Sequence, residues 1–224
     1  MEKTSIVTGA SKGIGKALAQ KLLSEGYMVI GTSRSGNIKD LVSPKFHSVA
    51  LDLTNPASIK EASQKIKAIA SRIDLLVNNA GIGPDLNAPR PQDDSYKITF
   101  DVNVQGTVFF TEAMLDAISP NGKIINVSSK MGSIAECSGT DSTAYRMSKS
   151  ALNMYTKILS NRLGDNTGVA SIHPGWVQTD ISPGSKAHAP LTPKQSAENM
   201  YRFIGNDFAT GTYWDSATDS SLTW

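Results

Sequence analysis

The stretch "SIVTGASKGIG", from Ser5 to Gly15, decides the fold class. It opens with a short apolar run that ends at Gly9, as is typical of a buried strand. Further glycines follow at positions 13 and 15, and a helical apolar period begins at Ile14. A glycine-rich turn between a first strand and a first helix lets backbone amides approach a pyrophosphate closely. The stretch therefore predicts a dinucleotide-binding turn.

The rest of the chain alternates between strand-like runs and helical patterns. Further strands are predicted at residues 27–33, 46–53, 73–81, 122–129, 168–175 and 211–215. Further helices are predicted at residues 54–72, 94–118, 144–163 and 192–204, two of which begin with the capping patterns "NP" and "TPKQ". This order predicts a single-domain α/β Rossmann fold, with a doubly wound parallel sheet of about seven strands and helices on both faces.

Length and composition narrow the function classes. The 224 residues fit one domain, 1–224, which combines dinucleotide binding and catalysis. The net charge of +2 gives no electrostatic basis for binding nucleic acid or a membrane. Cys137 is the single cysteine, so an internal disulfide is excluded. The start of the sequence lacks the apolar run of a signal peptide, which favours a cytoplasmic protein.

The end of the second predicted strand bears on which dinucleotide binds. Proteins that select NAD usually place an acidic residue there, about 20 residues after the glycines, to bind the ribose 2′-hydroxyl. This region reads "IGTSRSGN" and contains no acidic residue, and Asp40 comes too late. Arg34 lies where a 2′-phosphate would be met, and Lys12 in the glycine turn adds a second positive charge. The sequence therefore predicts NADP(H).

The segment "TAYRMSKSALNM", from Thr143 to Met154, contains a candidate proton donor. Tyr145 and Lys149 are one helical turn apart, so their side chains share a face. Reduction of a carbonyl requires a proton for the developing alkoxide, and a nearby ammonium group lowers the pKa of a tyrosine from about 10. An isolated pair of this kind is also common on solvated helix surfaces, so a catalytic role depends on the other motifs that accompany it.

Two serines, Ser128 and Ser129, end the fifth predicted strand in "IINVSSK". Ligands bind at the carboxyl ends of strands in this architecture, where a hydroxyl can hold a carbonyl oxygen. Strand alternation points the two side chains to opposite faces, so only one of them should reach the site. The residues alone leave both as candidates.

These motifs together resemble the short-chain dehydrogenase/reductase family. The glycine spacing Gly-xxx-Gly-x-Gly, "NNAG" at Asn78 to Gly81 and Tyr-xxx-Lys occur in family order over nearly the whole chain. The segments "YRMSKSALNM", "HPGWVQTD" and "GTYWDSATDSSLTW" are similar to a C-factor-like and carbonyl-reductase-like subgroup. The resemblance implies hydride transfer between NADP(H) and a carbonyl or alcohol substrate, in a homodimer or homotetramer.

The resemblance also implies roles for particular residues. The implied catalytic residues are Asn103, Ser129, Tyr145 and Lys149. Asn103 would kink a helix and anchor a water that leads to the lysine, and Lys149 would also hold the nicotinamide ribose. The interval between Ser129 and Tyr145 exceeds the family's commonest spacing, with "ECSGTDST" (Glu136 to Thr143) as the apparent insertion, so Ser128 stays open as an alternative.

The implied cofactor-binding residues include the catalytic pair and no metal ligand. They are Gly9, Ser11, Lys12, Gly13, Ile14, Gly15, Arg34, Asp52, Leu53, Asn79, Ala80, Gly81, Tyr145, Lys149, Pro174, Gly175, Val177 and Thr179. By resemblance Asp52 and Leu53 contact the adenine, whereas Val177 and Thr179 hold the nicotinamide carboxamide. His173 is interpreted as the packed end of a strand rather than a catalytic base.

The substrate is the least determined part of the interpretation. Residues Ile181 to Leu191 are predicted to form a substrate loop, a surface loop or mobile flap, and Trp176 and Met131 are candidate apolar walls. A 3-oxoacyl thioester reductase would use the same chemistry but needs a basic patch for an acidic carrier protein. A non-enzymatic dinucleotide-binding signalling protein is the third alternative, although such proteins often lack the tyrosine or lysine that this chain keeps.

Overall fold

A computed structural model describes residues 2–224, apart from the side chain of Pro183, so Met1 of the predicted domain lies outside the described residues. Its single sheet has the strand order β3-β2-β1-β4-β5-β6-β7-β8. The strands are β1 (Thr4–Val7), β2 (Met28–Ser33), β3 (Phe46–Ala50), β4 (Ile73–Asn78), β5 (Ile118–Val127), β6 (Gly168–His173), β7 (Thr212–Asp215) and β8 (Ser220–Ser221). The first seven are parallel, which confirms the predicted sheet. The sequence missed the two-residue β8, which pairs antiparallel with β7.

Helices cover both faces of the sheet. They are α1 (Gly13–Ser24), α2 (Pro56–Ile69), α3 (Asp93–Phe100), α4 (Thr107–Met114), α5 (Thr143–Leu163), α6 (Pro183–His188) and α7 (Pro193–Gly205). One apolar core lies between the sheet and α1 with α7, and a second lies between the sheet and α2, α4 and α5. Neighbouring strand residues such as Ile124 and Ile125 enter opposite cores, because side chains alternate along a strand.

Two helices begin where their capping residues predict. The Asn55 side chain accepts hydrogen bonds from the first turn of α2. At α7, Thr192 and Gln195 form the predicted capping box, in which each side chain accepts a hydrogen bond from the backbone amide of the other residue.

The region that the sequence predicts as one helix, Asp94 to Ile118, is interrupted. Helix α3 passes into a π-helical turn over Asp101–Gly106, then into α4 and a short 3₁₀ turn, and Ile118 already pairs in β5. A π-helical turn accommodates an extra residue in the helix and often occurs at functional sites. Asn103, where the resemblance implies a kink, lies inside this turn.

Within the predicted surface loop or flap from Ile181 to Leu191, the structure contains the short helix α6. The segment is also closed at its base, since Val177 and Leu191 form a β-bridge. The Gln178 amide donates to the Leu191 carbonyl at 2.8 Å, and the Leu191 amide donates to the Trp176 carbonyl at 3.3 Å. These backbone bonds join Leu191, the end of the segment, to residues 176–178, which shortly precede its start.

Among residues 2–224, none of the helices has the length and apolar character needed to cross a membrane.

Candidate active site

The residues predicted to hold the cofactor follow the carboxyl ends of the parallel strands. They comprise Gly9, Ser11, Lys12, Gly13, Ile14 and Gly15 after β1, Arg34 after β2, Asp52 and Leu53 after β3, Asn79, Ala80 and Gly81 after β4, and Pro174, Gly175, Val177 and Thr179 after β6. Because these strands are parallel, their ends meet at one edge of the sheet, called here the carboxyl edge. This is the edge at which ligands bind in doubly wound folds.

The glycine turn is built for close backbone approach. Gly9 and Gly13 have φ of +67° and +56°, a region that favours glycine. Gly15 has an ordinary conformation, but a Cβ there would lie 2.3 Å from the Gly9 carbonyl oxygen. Helix α1 therefore begins directly against the end of β1. The amides of its first turn receive no side-chain cap from Lys12, which leaves them available to an anion such as a pyrophosphate.

A hydrogen-bond network joins this turn to the "NNAG" turn after β4. The Asn79 side chain donates to the Thr8 carbonyl at 2.8 Å, and the Thr8 hydroxyl accepts from the amides of Asn79 and Ala80 at 3.0 and 2.9 Å. Thr8 is not among the site residues predicted from the sequence. Its position directly before Gly9 was the available indication.

At the end expected to hold the adenine ribose, Arg34 is exposed directly after β2. Hydrogen bonds from Thr54 hold the pKa of Asp52 below its usual value, and the nearby Arg34 charge adds to this effect. Leu53 is buried. Lys12, the second predicted cation, lies 3.2 Å from Asp180, which also pairs with Lys186 at 3.0 Å.

The turn after β6 lies beside the glycine turn. The Pro174 carbonyl is fixed by the Ser196 hydroxyl at 2.7 Å, and Gly175 takes a left-handed φ of +86°. Thr179 comes close to the glycine turn, since a Cβ on Gly13 would lie 3.4 Å from its methyl group. The structure thus brings both expected cofactor-binding segments together.

Tyr145 and Lys149 are buried on α5, with the Lys149 ammonium 5.6 Å from the centre of the tyrosine ring. The ammonium donates to the carbonyl of Val127, the last residue of β5, at 2.8 Å. A Cβ on Gly81 would lie 3.4 Å from the ammonium and 3.3 Å from the Asn103 amide oxygen. The predicted lysine, asparagine and "NNAG" turn therefore converge on one point.

The pKa values of Tyr145 and Lys149 are shifted mainly by burial, and not in the direction that the sequence predicts for the tyrosine. Burial raises the pKa of Tyr145 to about 12, against an opposing hydrogen bond with Ser129. Burial also lowers the pKa of Lys149 to about 8. The sequence predicts that Lys149 lowers the tyrosine pKa, but the desolvation of both groups dominates and the ammonium is bonded to Val127.

Asn103 is fixed on both sides of its amide. Its oxygen accepts from the Ile82 amide at 2.8 Å, and its nitrogen donates to the Ile82 carbonyl at 2.8 Å and to the Ser148 hydroxyl at 3.0 Å. The π-helical turn therefore holds the segment after β4 next to α5.

The two serines after β5 face different neighbours. Ser129 interacts with Tyr145, and its hydroxyl also accepts from the Met131 amide at 3.2 Å. Ser128 is buried, and its hydroxyl donates to the Lys149 backbone carbonyl at 3.4 Å. The structure thus places Ser129, rather than Ser128, beside the tyrosine.

Two further buried residues, Asp85 and Tyr213, contact the backbone at Tyr145 and Ser129. Asp85 accepts hydrogen bonds from the amides of Ala144 and Tyr145. The Tyr213 hydroxyl donates to the Ser129 carbonyl, and its ring stacks on Trp224 with 5.0 Å between centroids. Neither residue was predicted from the sequence, because no local pattern shows such long-range contacts.

His173 is the last residue of β6, as interpreted from the sequence. Its Nδ1 is buried, and burial lowers its pKa.

Comparisons with known proteins decide the family. A family model described as short chain dehydrogenase matches residues 3–189. The chain belongs to this family. Short-chain dehydrogenases are oxidoreductases that use a nicotinamide dinucleotide, so the predicted family, fold and enzyme class are confirmed.

Individual relatives cover nearly the whole dehydrogenase. It is 32% identical over 225 residues to 3-oxoacyl-[acyl-carrier-protein] reductase FabG of Escherichia coli, covering 92% of this chain and 91% of that protein. The carbonyl reductase Sniffer of D. melanogaster superimposes with a TM-score of 0.90 at 27% identity, over 100% of both chains. An NADPH-bound carbonyl reductase from chicken fatty liver superimposes with a TM-score of 0.86 at 27% identity, over 100% of this chain and 99% of that one.

Proposed function

We propose that this dehydrogenase transfers a hydride between NADP(H) and a small carbonyl or alcohol substrate. The observation that carries the proposal is the convergence of Ser129, Tyr145 and Lys149 at the carboxyl edge, beside the glycine turn. Both an acid and a second hydroxyl donor are needed there for a carbonyl oxygen that gains negative charge.

The glycine turn and its neighbours fit a dinucleotide. The space that a Cβ on Gly15 would need is already filled, and the amides of the first turn of α1 suit the pyrophosphate. Arg34 would bind the 2′-phosphate, and Asp52 with Leu53 would border the adenine. Val177 and Thr179 would hold the carboxamide of the nicotinamide, which supplies or accepts the hydride when bound.

Tyr145 would give its proton to the substrate oxygen. Its pKa of about 12 keeps the buried phenol protonated at neutral pH, as a proton donor requires. The Ser129 hydroxyl would donate a hydrogen bond to the same oxygen. When the phenolate forms, the nearby Lys149 ammonium would stabilise it, because opposite charges favour each other strongly in a buried site.

A small substrate is favoured over one attached to an acidic carrier protein. The relative from Escherichia coli is named for a carrier-bound substrate, so the comparison itself motivates this alternative. However, two cations near the site are paired with neighbouring carboxylates: Lys130 pairs with Glu136 at 3.0 Å and Arg146 with Asp141 at 3.2 Å. Residues Ile181 to Leu191 remain the proposed substrate loop, and the Trp176 indole, which precedes the loop, donates to the hydroxyl of Ser185 within it.

We also propose a cytoplasmic homodimer or homotetramer that binds neither nucleic acid nor membrane. Exposed apolar side chains form one stripe along α5, at Met147, Met154 and Ile158, and Phe109 on α4 is likewise exposed. Such a stripe is typical of a surface that pairs with another copy. Cys137 is a free, exposed thiol, which fits a reducing compartment.

The proposed function is tested by NADPH consumption with a panel of aldehydes, ketones and 3-oxoacyl thioesters. We expect turnover of free aldehydes or ketones. Consumption only with the 3-oxoacyl thioesters would favour the alternative of a 3-oxoacyl thioester reductase. NADPH binding without consumption in any assay would favour a non-enzymatic role.

Replacement of Arg34 by aspartate should shift the preference from NADPH toward NADH. A charge-assisted contact worth about 2–3 kcal/mol is lost and a repulsive charge is added, so the ratio of kcat/KM for the two cofactors should fall about a hundredfold. Arg202→Asp on α7 is the control, since Arg202 is also exposed but lies on a helix that supplies no expected cofactor contact. An unchanged ratio in Arg34→Asp would show that Arg34 does not bind the 2′-phosphate.

Substitutions of Ser128 and Ser129 should have different effects on kcat in the same NADPH-consumption assay. Ser129→Ala should lower kcat about a hundredfold, as loss of a hydrogen-bond donor to a developing oxyanion typically does. Ser128→Ala serves as the comparison and should retain most of its activity, because its hydroxyl contacts the Lys149 backbone. The reverse order of the two rates would reassign the active-site serine.

A further inference from the structure

Asp85 is a buried carboxylate outside the residues assigned so far to binding or chemistry. It lies between β4 and α3 and is 2% exposed. One oxygen accepts from the Ala144 amide at 2.8 Å and from the Tyr145 amide at 3.3 Å. Its other oxygen is buried without a hydrogen-bond partner among the described residues. Burying a carboxylate costs free energy, so its place here requires a compensating role.

Helix α5 lacks a cap from its own chain neighbours. Ser142, which precedes the helix, has a left-handed φ of 57° and gives no side-chain cap. The first amides of a helix have no partner inside the helix, and those of Ala144 and Tyr145 are satisfied by Asp85, a residue 59 positions before Ala144. The carboxylate also lies at the positive end of the helix dipole, which stabilises its charge.

The segment around Asp85 is tied to α5 at further points. The Asn87 amide donates to the Ser142 hydroxyl at 2.9 Å, and the Ser142 amide donates to the Ala88 carbonyl at 3.0 Å. A Cβ on Gly83 would lie 3.0 Å from the Tyr145 ring. The segment therefore packs against the tyrosine ring and bonds to its backbone.

We propose that Asp85 is a positioning residue for Tyr145, which fixes the start of α5 through its two backbone contacts and places a negative charge near the phenol. The catalytic part of this inference rests on the proposed function. Its structural content, the contact between a buried carboxylate and the tyrosine amide, is independent of the substrate.

The charge effect follows from the groups that face Tyr145. These groups are Asp85, Lys149, Tyr213 and the Ser129 hydroxyl. Burial is the main reason that the pKa of Tyr145 is raised, and the negative charge of Asp85 raises it further. Removal of that charge alone should therefore shift the phenol titration toward lower pH.

Two substitutions separate the cap from the charge. Asp85→Asn keeps an oxygen for the two amides and removes the charge, whereas Asp85→Ala removes both. Asp74→Asn is the matched control, because Asp74 also accepts a backbone hydrogen bond, from the Thr4 amide at 2.9 Å, at the opposite edge of the sheet.

Three measurements on the full chain test the proposal. Hydrogen exchange reports the amides of Ala144 and Tyr145. Ultraviolet difference titration against Tyr145→Phe reports the phenolate. The pH profile of kcat reports catalysis. We expect Asp85→Ala to exchange both amides faster and to lose kcat at least about tenfold, since small displacements of a catalytic group are costly. Asp85→Asn should restore protection and most of kcat, with phenolate formation and the alkaline limb of the profile moved to lower pH.

Unchanged exchange and kcat in Asp85→Ala would overturn the proposal. If that variant does not fold, Asp85→Asn decides: a phenol titration identical to wild type and to Asp74→Asn would overturn the charge role, and a downward shift would support it. If the wild-type chain reduces no carbonyl, the proposed function fails, and amide exchange with the phenol titration still tests Asp85.

Discussion

Replacement of Tyr145 by phenylalanine should abolish turnover and leave NADPH binding nearly intact. The variant keeps the ring that packs against the Gly83 segment and loses only the proton that the substrate oxygen requires. Loss of a positioned general acid typically costs a factor of about 10²–10⁴ in rate. NADPH oxidation with the best substrate of the panel measures the first effect, and a fluorescence titration of bound NADPH measures the second.

The matched control is Tyr155→Phe, on the same helix. The Tyr155 hydroxyl donates to Glu112 at 2.8 Å, away from the glycine turn and the serines. This variant also loses one phenol but should keep its activity within a small factor. Normal turnover in Tyr145→Phe would refute the proposed mechanism, and equal losses in the two variants would point to damage of α5 instead.

Replacement of Gly15 by alanine should have the largest effect on cofactor binding and stability. The added Cβ would lie 2.3 Å from the Gly9 carbonyl oxygen and 2.4 Å from the Asn79 amide nitrogen, and the first of these belongs to the backbone. Helix α1 must then move away from the turn that its amides help to form. Overpacking of this kind typically costs about 1–3 kcal/mol, which lowers the Tm by about 3–10 °C in a chain of this size.

The corresponding control is Gly205→Ala at the end of α7. No heavy atom lies within 4 Å of a Cβ at that position, and alanine is a better helix former than glycine. Its Tm should be unchanged or slightly raised, with normal NADPH affinity. Thermal melts with and without NADPH compare the two variants. An unchanged melt and unchanged affinity in Gly15→Ala would contradict the close contact between α1 and the end of β1.

Features encoded locally were predictable from the sequence. The caps at Asn55 and Thr192 and the glycine turn each depend on residues within a few positions of one another. Alternation of strand and helix patterns then gave the parallel sheet, because short crossovers leave few other topologies. The order of the motifs along the chain added the family.

Features that depend on distant contacts were not predictable. The π-helical turn places Asn103 against Ile82, 21 positions earlier, and helical periodicity does not show this. Asp85 reaches α5 from 59 positions away, and in the sequence it is one acidic residue in a polar loop. The raised pKa of Tyr145 was not predictable for the same reason, because burial is the main cause of the shift and the sequence shows only the nearby lysine.

The bridge between Val177 and Leu191 closes the segment between them at its base. Its two ends are already joined by backbone bonds, and the entropy of closing a loop rises only slowly with its length. Insertions or deletions between Ile181 and Leu191 should therefore leave Pro174, Gly175 and Thr179 in place. Tyr145 has no such freedom, because its helix is held by Asp85, Asn103 and Val127 at once. As the proposed substrate loop, residues 181–191 would let the substrate range change while the residues proposed to carry the reaction stay fixed.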